Sequence, residues 1–250
     1  MRLDSPTAEI PLERLVFLSN SVPKSGSTFL AALQENFIYG LKPRRISLNE
    51  ELQHLDVDLR GNYVMNPYEK DFLHFISNES LENGPYIFKT HLEMKGDIKD
   101  IFLSSPHIHA SLSVRDPLEI FMSGRDNHLA TGEFPEFAEL DSGIKVIRGY
   151  FAEIFKTTKS IASIKDVPIV RYDEIVTSPR GALLKSFSRD LRSILIAGAI
   201  TERVDIEAAN ELASYRRNKA EVKRDLNHCN QEEIRYLKTN LSDISKCFGY

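Results

Sequence analysis

Four short apolar runs, each followed by a longer stretch with helical periodicity, constrain the fold of this chain most strongly. Buried strands that alternate with helical segments are typical of βαβ units, in which helices cover a parallel sheet. We therefore expect a single α/β domain over residues 1–250, with a parallel sheet of about four or five strands flanked by helices. The predicted strands are Leu15–Leu18, Tyr86–Lys89, Ile108–Val114 and Pro168–Tyr172.

The stretches between and after these strands carry the helical pattern. Predicted helices cover residues 27–39, 117–129, 142–164, 178–196 and 231–246. Residues 41–85 and 133–142 instead combine turn formers with mixed periodicity, and we expect them to be insertions that cover a ligand site. Ligands of open parallel sheets bind beyond the carboxyl ends of the strands, so the residues directly after each strand are the candidates for function.

The charge balance and the apolar runs limit the partners and the location of the protein. The chain has 32 Lys and Arg against 36 Asp and Glu, a formal net charge of -4. A protein that binds nucleic acid generally has a clearly basic surface, so we expect no nucleic-acid partner. The first residues lack a basic region followed by an apolar stretch, and no run approaches about 18 apolar residues. We therefore expect a soluble, cytoplasmic protein with no membrane span.

The loop after the first strand has the composition of a phosphate-binding loop. It runs from Ser19 to Phe29 and leads directly into a predicted helix. The N-terminus of a helix offers unpaired backbone N–H groups and a partial positive charge. Gly26 lets the backbone approach an anion closely, and Lys24 adds a mobile charge. The alternative is an ordinary strand–helix turn that contains a lysine.

This loop differs from the usual nucleoside triphosphate loop. That pattern, G-x-x-x-x-G-K-[ST], places lysine after the last glycine and a magnesium-binding hydroxyl after the lysine. Here Lys24 precedes Gly26 by two residues, and no earlier glycine stands at the expected place. The loop therefore disfavours a metal-dependent kinase.

Residues 23–29, P-K-S-G-S-T-F, resemble the P-K-S-G-[ST]-T-[WF] loop of the cytosolic-type sulfotransferases. Three further segments resemble motifs of that family and follow in the family's order. They are K-T-H-L at 89–92, R-D-P at 115–117 with a serine eight residues after the arginine, and Y-D-E-I at 172–175. The chain also ends on F-G-Y, a common ending in the family.

This resemblance implies a fold, a reaction and a donor. The fold would be a three-layer, P-loop-like α/β domain. The enzyme would transfer the sulfuryl group of 3′-phosphoadenosine 5′-phosphosulfate (PAPS) to a hydroxyl or amine acceptor and leave adenosine 3′,5′-bisphosphate (PAP). No metal is required on this reading. The segments 41–85 and 133–142 would then cover the acceptor.

The resemblance makes His91 the catalytic base. An imidazole titrates near neutral pH and can take a proton from an acceptor hydroxyl, which agrees with that role. Lys24 is expected to stabilise the charge on the leaving phosphate oxygen, and Lys89 the charge on the sulfate oxygens.

The same resemblance implies the cofactor-binding residues. The 5′-phosphosulfate would be held by the loop residues Lys24, Ser25, Gly26, Ser27, Thr28 and Phe29, with the Phe29 ring stacked on adenine. Arg115 and Ser123 would bind the 3′-phosphate, and Tyr172 would lie near the adenine. Arg216 and Arg217 would close over the 3′-phosphate.

Several points stay open at the level of sequence. The family's R-K-G-x-x-G-D-W segment is altered here, with Asn218 in place of the first glycine and no tryptophan in the chain. Closure of the Arg216–Arg217 segment is therefore undecided. The acceptor, whether a small molecule, a glycan or a lipid, and the oligomeric state are undecided too. A small-molecule kinase and a non-catalytic module that binds PAP or another nucleotide are the alternative functions.

Overall fold

The computed structural model describes residues 14–41, His74, Ser77, residues 85–189, Leu191 and residues 229–250. The predicted residues Arg216 and Arg217, and nearly all of the insertion 41–85, lie outside these described residues.

The centre of the described fold is a sheet of four parallel strands, which confirms the predicted α/β class. The strand order is β2-β1-β3-β4. The register aligns the carboxyl ends: Asn20 pairs with Thr90, and Ser21 pairs with Ser113. The strands are β1 (Val16–Ser21), β2 (Tyr86–Thr90), β3 (Ile108–Val114) and β4 (Ile169–Arg171).

The two central strands are buried along their length because both faces of the sheet are covered. Every residue of β1 and of β3 is buried. Phe17 of β1 packs into a cluster on one face, whereas its neighbours Val16 and Leu18 pack into a cluster on the other face. Side chains alternate between the faces of a strand, so one short run fills two core layers.

Helices connect and flank these strands. In chain order they are α1 (Ser27–Leu41), α2 (Gly96–Ser104), α3 (Pro117–Thr131), α4 (Leu140–Val146), α5 (Ala152–Ile161), α6 (Tyr172–Thr177), α7 (Pro179–Ser186) and α8 (Gln231–Phe248). A 3₁₀ turn covers Pro135–Ala138, and a π-helical turn, Ile147–Phe151, joins α4 to α5.

The helix predictions are correct in most places and wrong in three. No predicted helix covers α2, which contributes the buried Phe102 to the core. None covers α6 either, whose first residue, Tyr172, was predicted as the end of a strand. The predicted helix 178–196 is interrupted at Phe187, which is in an extended conformation, although Arg189 and Leu191 are helical. Phe187 packs edge-on against Phe17 of β1, with ring centroids 5.3 Å apart, so burial of this ring takes precedence over the helical pattern.

The order of the strands creates the crevice in which ligands of such sheets bind. The chain passes from β1 through α1 to β2 on one side, and then returns through α2 to β3 on the other side of β1. The helices α1 and α7 pack on one face, and α2 and α5 pack on the other. The connections therefore reverse direction between β1 and β3, which is the topological switch point of the sheet.

Among the described residues, no helix has the length and apolar character needed to cross a membrane.

Candidate active site at the carboxyl edge of the sheet

The predicted site residues follow the carboxyl ends of four neighbouring strands. The loop 22–29 follows β1, His91 follows β2, Arg115 follows β3 and Tyr172 begins α6 directly after β4. Since the strands are parallel, these four positions lie along one edge of the sheet. The sequence therefore predicted correctly which edge of the sheet carries these motifs.

The loop 22–29 contains two residues in the left-handed backbone region, Lys24 with φ of 66° and Gly26 with φ of 76°. The carbonyl of Gly26 accepts from the N–H groups of Phe29 and Leu30, at 3.0 and 3.1 Å, and so begins α1. A Cβ atom at Gly26 would lie 2.5 Å from Cδ2 of Tyr172. Glycine is thus required here by the backbone conformation and by the aromatic ring beside it.

Ser25 anchors this loop to β3. Its hydroxyl donates to the carbonyl oxygen of Ser113 at 3.1 Å and lies 2.8 Å from the Ser113 hydroxyl. Ser25 is fully buried. Its side chain therefore fixes the loop across the switch point, a contact that the motif resemblance does not reveal.

Lys24 contacts the segment 133–142. Its Nζ atom lies 3.9 Å from the centroid of the Phe134 ring, which is cation–π geometry. Phe134 is 36% exposed and has a φ of 59°. Three residues further on, Phe137 is fully buried and packs against Phe121 and Phe151. The segment is therefore anchored in the core at one end and reaches the loop lysine at the other.

His91 is held in a defined tautomer. Its Nδ1 atom lies 2.8 Å from the carbonyl oxygen of Ser21 and 2.8 Å from the Ser21 hydroxyl. A carbonyl oxygen can only accept, so Nδ1 carries the hydrogen in this contact. Nε2 is then the ring nitrogen whose lone pair can take a proton.

The surroundings of His91 favour its neutral form. Burial, the charge of Lys89 and the charge of Lys24 together lower the pKa of His91 to about 3, although the hydrogen bond with the Ser21 backbone raises it. Burial is the largest cause, because desolvation disfavours the imidazolium. The two lysines lie close enough for their charges to affect the imidazole. The structure therefore brings together the three side chains that the sequence predicted as catalytic.

Two residues that the sequence analysis missed hold the backbone around His91. Asn20, fully buried on β1, accepts from the N–H of Leu92 at 2.7 Å and from the Thr90 hydroxyl at 3.0 Å, and it donates to the Leu92 carbonyl at 3.1 Å. Tyr150 donates its hydroxyl to the His91 carbonyl at 2.9 Å. Asn20 stands two residues after the predicted strand Leu15–Leu18, among the candidate positions at a strand end, and this was the available sequence signal.

Arg115 is oriented by three contacts. Nε donates to Oε2 of Glu119 at 2.8 Å, and Nη1 donates to the carbonyl oxygen of Lys24 at 3.5 Å. The guanidinium carbon lies 3.9 Å from the centroid of the Tyr172 ring. The residue is only 3% exposed. Arg115 therefore links the loop 22–29, the first turn of α3 and the residue that follows β4.

Tyr172 and Tyr250 support this side of the site. The Tyr250 hydroxyl lies 3.3 Å from the Val114 carbonyl and 3.2 Å from Oδ1 of Asp173, which share its one hydrogen, and it accepts from the Tyr172 N–H at 3.3 Å. Burial and the carboxylate of Asp173 raise the pKa of Tyr250, so the hydroxyl stays protonated. The last residue of the chain thus ties the end of β3 to the start of α6.

The other predicted site residues within the described part of the chain lie on helices, with their side chains buried. Ser123 is buried on α3, and it makes no hydrogen bond with another predicted site residue within the described part of the chain. Phe29 is 4% exposed and packs in the core cluster beneath α1, so its ring is not presented to solvent in this structure. Its predicted stacking on adenine stays a prediction. Ser27 and Thr28 are buried in the first turn of α1.

The groups at this edge suit an anionic ligand that carries phosphate or sulfate. Lys24, Lys89 and a helix N-terminus lie on the β1–β2 side of the site, and Arg115 lies on the β3 side. Ammonium, guanidinium and backbone N–H groups are the donors that phosphate and sulfate bind best. By this donor chemistry, the residues fit a nucleotide such as PAPS or PAP.

No family model matches the sequence, and no curated protein matches it. By structure, the chain is similar to retinol dehydratase in complex with androsterone and inactive cofactor PAP, with 12% identity, a TM-score of 0.49, and coverage of 94% of this chain and 81% of that chain. It is also similar to retinol dehydratase in a complex with retinol and PAP, with 13% identity, a TM-score of 0.46, and coverage of 94% of this chain and 82% of that chain. The chain is also similar to mouse sulfotransferase SULT7A1 complexed with PAP, with 16% identity, a TM-score of 0.49, and coverage of 94% of this chain and 88% of that chain.

Proposed function

We propose that this protein is a PAPS-dependent sulfotransferase with His91 as its general base. When bound, PAPS supplies an activated sulfuryl group. Nε2 of His91 takes the proton of the acceptor hydroxyl or amine, while the acceptor atom bonds to sulfur and the bond from sulfur to the 5′-phosphate oxygen breaks. PAP leaves with the electron pair of that bond, and the acceptor carries the sulfuryl group.

The observation that carries this proposal is the hydrogen bond between Nδ1 of His91 and the carbonyl oxygen of Ser21. It keeps the hydrogen on Nδ1 and leaves the Nε2 lone pair as the proton acceptor. A base must be unprotonated at working pH, and the lowered pKa of His91 keeps the ring neutral. The tautomer and the protonation state therefore both agree with a role in proton removal.

The positions of the two lysines support charge stabilisation beside this base. Sulfuryl transfer resembles phosphoryl transfer in that the protein supplies mostly positioning and electrostatic stabilisation. Lys24 follows β1 on the loop that begins α1, so its ammonium can stabilise the charge that builds on the leaving oxygen. Lys89 precedes His91 by two residues and would stabilise the sulfuryl oxygens.

The remaining predicted residues would hold the nucleotide. Ser25, Gly26, Ser27 and Thr28 form the turn that leads into α1, where backbone N–H groups can bind the 5′-phosphate. Arg115 and Tyr172, in contact with one another, would bind the 3′-phosphate and the adenosine. Phe29, Ser123, Arg216 and Arg217 are proposed for the same nucleotide on the strength of the motif resemblance.

The first test is isothermal titration of the purified chain with PAP. We expect tight binding to the wild type, binding retained by His91→Gln, and binding weakened by Arg115→Ala. Loss of one bidentate guanidinium contact with phosphate should weaken binding by at least about tenfold. No binding of PAP to the folded wild type at high micromolar concentration would contradict the proposal.

The second test is turnover of PAPS with a mixture of phenol, aliphatic alcohol and amine acceptors, followed as formation of PAP and of the sulfated product by mass. His91→Gln should lower the rate by about 100-fold or more. His109→Gln, which changes a histidine at the opposite end of β3, serves as the matched control and should keep the rate. Activity that EDTA abolishes would favour a metal-dependent kinase instead.

A further inference from the structure

The ion pair between Arg115 and Glu119 is a contact at the site that no predicted role explains. Nε of Arg115 lies 2.8 Å from Oε2 of Glu119, one helical turn later in the chain. The arginine side chain is 4% exposed, whereas the glutamate side chain is 43% exposed. A buried guanidinium thus takes its orientation from a carboxylate that reaches it from the surface. The family motif that the sequence resembles specifies the arginine and a later serine but not this acid.

We propose that Glu119 is a positioning residue that aims Arg115 at the 3′-phosphate of the nucleotide. This inference rests on the proposed function. The plane of the guanidinium is set by the Tyr172 ring, whose centroid lies 3.9 Å from the guanidinium carbon. Rotation within that plane is set by Glu119 at Nε and by the Lys24 carbonyl at Nη1. Three contacts therefore define the direction in which the remaining N–H groups point.

The remaining N–H groups of the Arg115 guanidinium are suited to bind a phosphate. A guanidinium has five N–H donors arranged as a planar fork. Glu119 occupies the single Nε donor, and the contact of Nη1 with Lys24 at 3.5 Å is long and therefore weak. The Nη1 and Nη2 groups form an edge that binds two phosphate oxygens at once. A carboxylate on Nε lies beside the guanidinium and leaves this edge for a ligand.

Positioning is expected to outweigh repulsion between Glu119 and the phosphate. The carboxylate is partly exposed, so water screens its charge at the distance of a ligand on the far edge. The guanidinium is buried, and its loss of a fixed orientation would remove a bidentate contact. Without Glu119, the Nε–H of a buried cation would also lack its acceptor.

The test compares PAP with AMP, which lacks the 3′-phosphate, by titration of the full chain. Glu119→Ala should lower the ratio of PAP affinity to AMP affinity by about tenfold, because only the contact with the 3′-phosphate depends on Arg115. Glu119→Gln keeps an amide oxygen that can accept from Nε, so it should lower the ratio by less than about threefold. In an Arg115→Ala background, Glu119→Ala should change the ratio no further.

The control is Asp243→Asn, which removes one negative charge from another ion pair with an arginine, at 2.7 Å from Arg148 on the surface. It should leave the affinity ratio unchanged. A ratio that is unchanged or higher in Glu119→Ala would overturn the inference, and so would equal losses in Glu119→Ala and Glu119→Gln, since charge alone would then explain the effect. Failure of the wild type to bind PAP would instead overturn the proposed function.

Discussion

Nδ1 of His91 lies 2.8 Å from the carbonyl oxygen of Ser21, so the residue that ends β1 sets the tautomer of the residue that follows β2. The two strands are neighbours in the sheet and run parallel. Their carboxyl ends therefore meet, although the two residues are 70 positions apart in the chain. This contact determines which nitrogen of the imidazole can act as a base.

The pH profile of turnover should differ from that of an ordinary histidine base. Because the pKa of His91 is lowered to about 3, the ring is neutral well below pH 6.5. We expect kcat/KM to show no acidic limb between pH 8 and about pH 5.5, since kcat/KM reports the protonation state of the free enzyme. Steady-state rates measured across this range would check this. An acidic limb centred near pH 6.5 would show that the imidazole is not held in the neutral form.

Asn20→Ala should impair both stability and turnover. The substitution leaves the Leu92 N–H and carbonyl and the Thr90 hydroxyl without this partner in a buried site. Each such loss costs about 1–3 kcal/mol, so the free energy of unfolding should fall by at least about 2 kcal/mol. Urea denaturation measures this change.

The Asn20→Ala variant should also separate turnover from nucleotide binding. Asn20 fixes the backbone on both sides of His91 but does not contact Arg115, so turnover should fall more than PAP affinity does. Asn240→Ala, at a partly exposed position on α8 where the side chain donates to the Tyr236 carbonyl one turn earlier, is the control and should be close to wild type. Equal losses of turnover and affinity would contradict a role centred on His91.

Gly26→Ala should weaken PAP binding as well as the fold. Alanine at a φ of 76° is strained, and its Cβ would lie 2.5 Å from the ring of Tyr172. Displacement of that ring would disturb Arg115, which stacks on it. Gly132→Ala is a matched control, because Gly132 has a φ of 73° and nothing within 4 Å of a Cβ.

The two glycine variants should share the backbone strain of about 1 kcal/mol but differ in ligand binding. Titration with PAP and thermal denaturation would measure both quantities. If Gly132→Ala lowered PAP affinity as much as Gly26→Ala did, the close approach of Tyr172 would not explain the effect.

His109 should make the fold sensitive to acid. Burial, with the charges of Lys165 and His107, lowers the pKa of His109 to about 4, although Asp166 raises it. The unfolded chain takes up a proton near pH 6.5, and the folded chain does so only near pH 4. Between these values the unfolded state binds more protons, so the free energy of unfolding falls as the pH is lowered.

His109→Gln should reduce this dependence between pH 6.5 and pH 4 and leave stability above pH 7 without a pH effect from this site. Urea denaturation at several pH values would measure the slope. His74→Gln, at an exposed position, is the control and should keep the wild-type slope. An unchanged slope in His109→Gln would show that other groups cause the acid sensitivity. His91, whose pKa is lowered to about 3, still contributes to the pH dependence of the free energy of unfolding in both variants.

Much of the site could be placed from the sequence because the motifs stand at strand ends. Apolar runs indicated the four strands, and parallel strands present their carboxyl ends at one edge. The positions of Lys24, His91, Arg115 and Tyr172 along that edge follow from this rule. The helix α2 and the early end of α7 did not follow, because packing of Phe102 and Phe187 decides them rather than local propensity.

The sequence by itself determined the α/β class, the four strands and the chemical types gathered at the site, since hydrophobic periodicity and motif order are local properties. Only the tertiary structure decided how those side chains are oriented. The tautomer of His91 depends on Ser21, the orientation of Arg115 depends on Tyr172 and the Lys24 carbonyl, and the backbone around His91 depends on Asn20. Each of these contacts joins residues far apart in the chain, and they meet because the parallel order β2-β1-β3-β4 brings the carboxyl ends of neighbouring strands together.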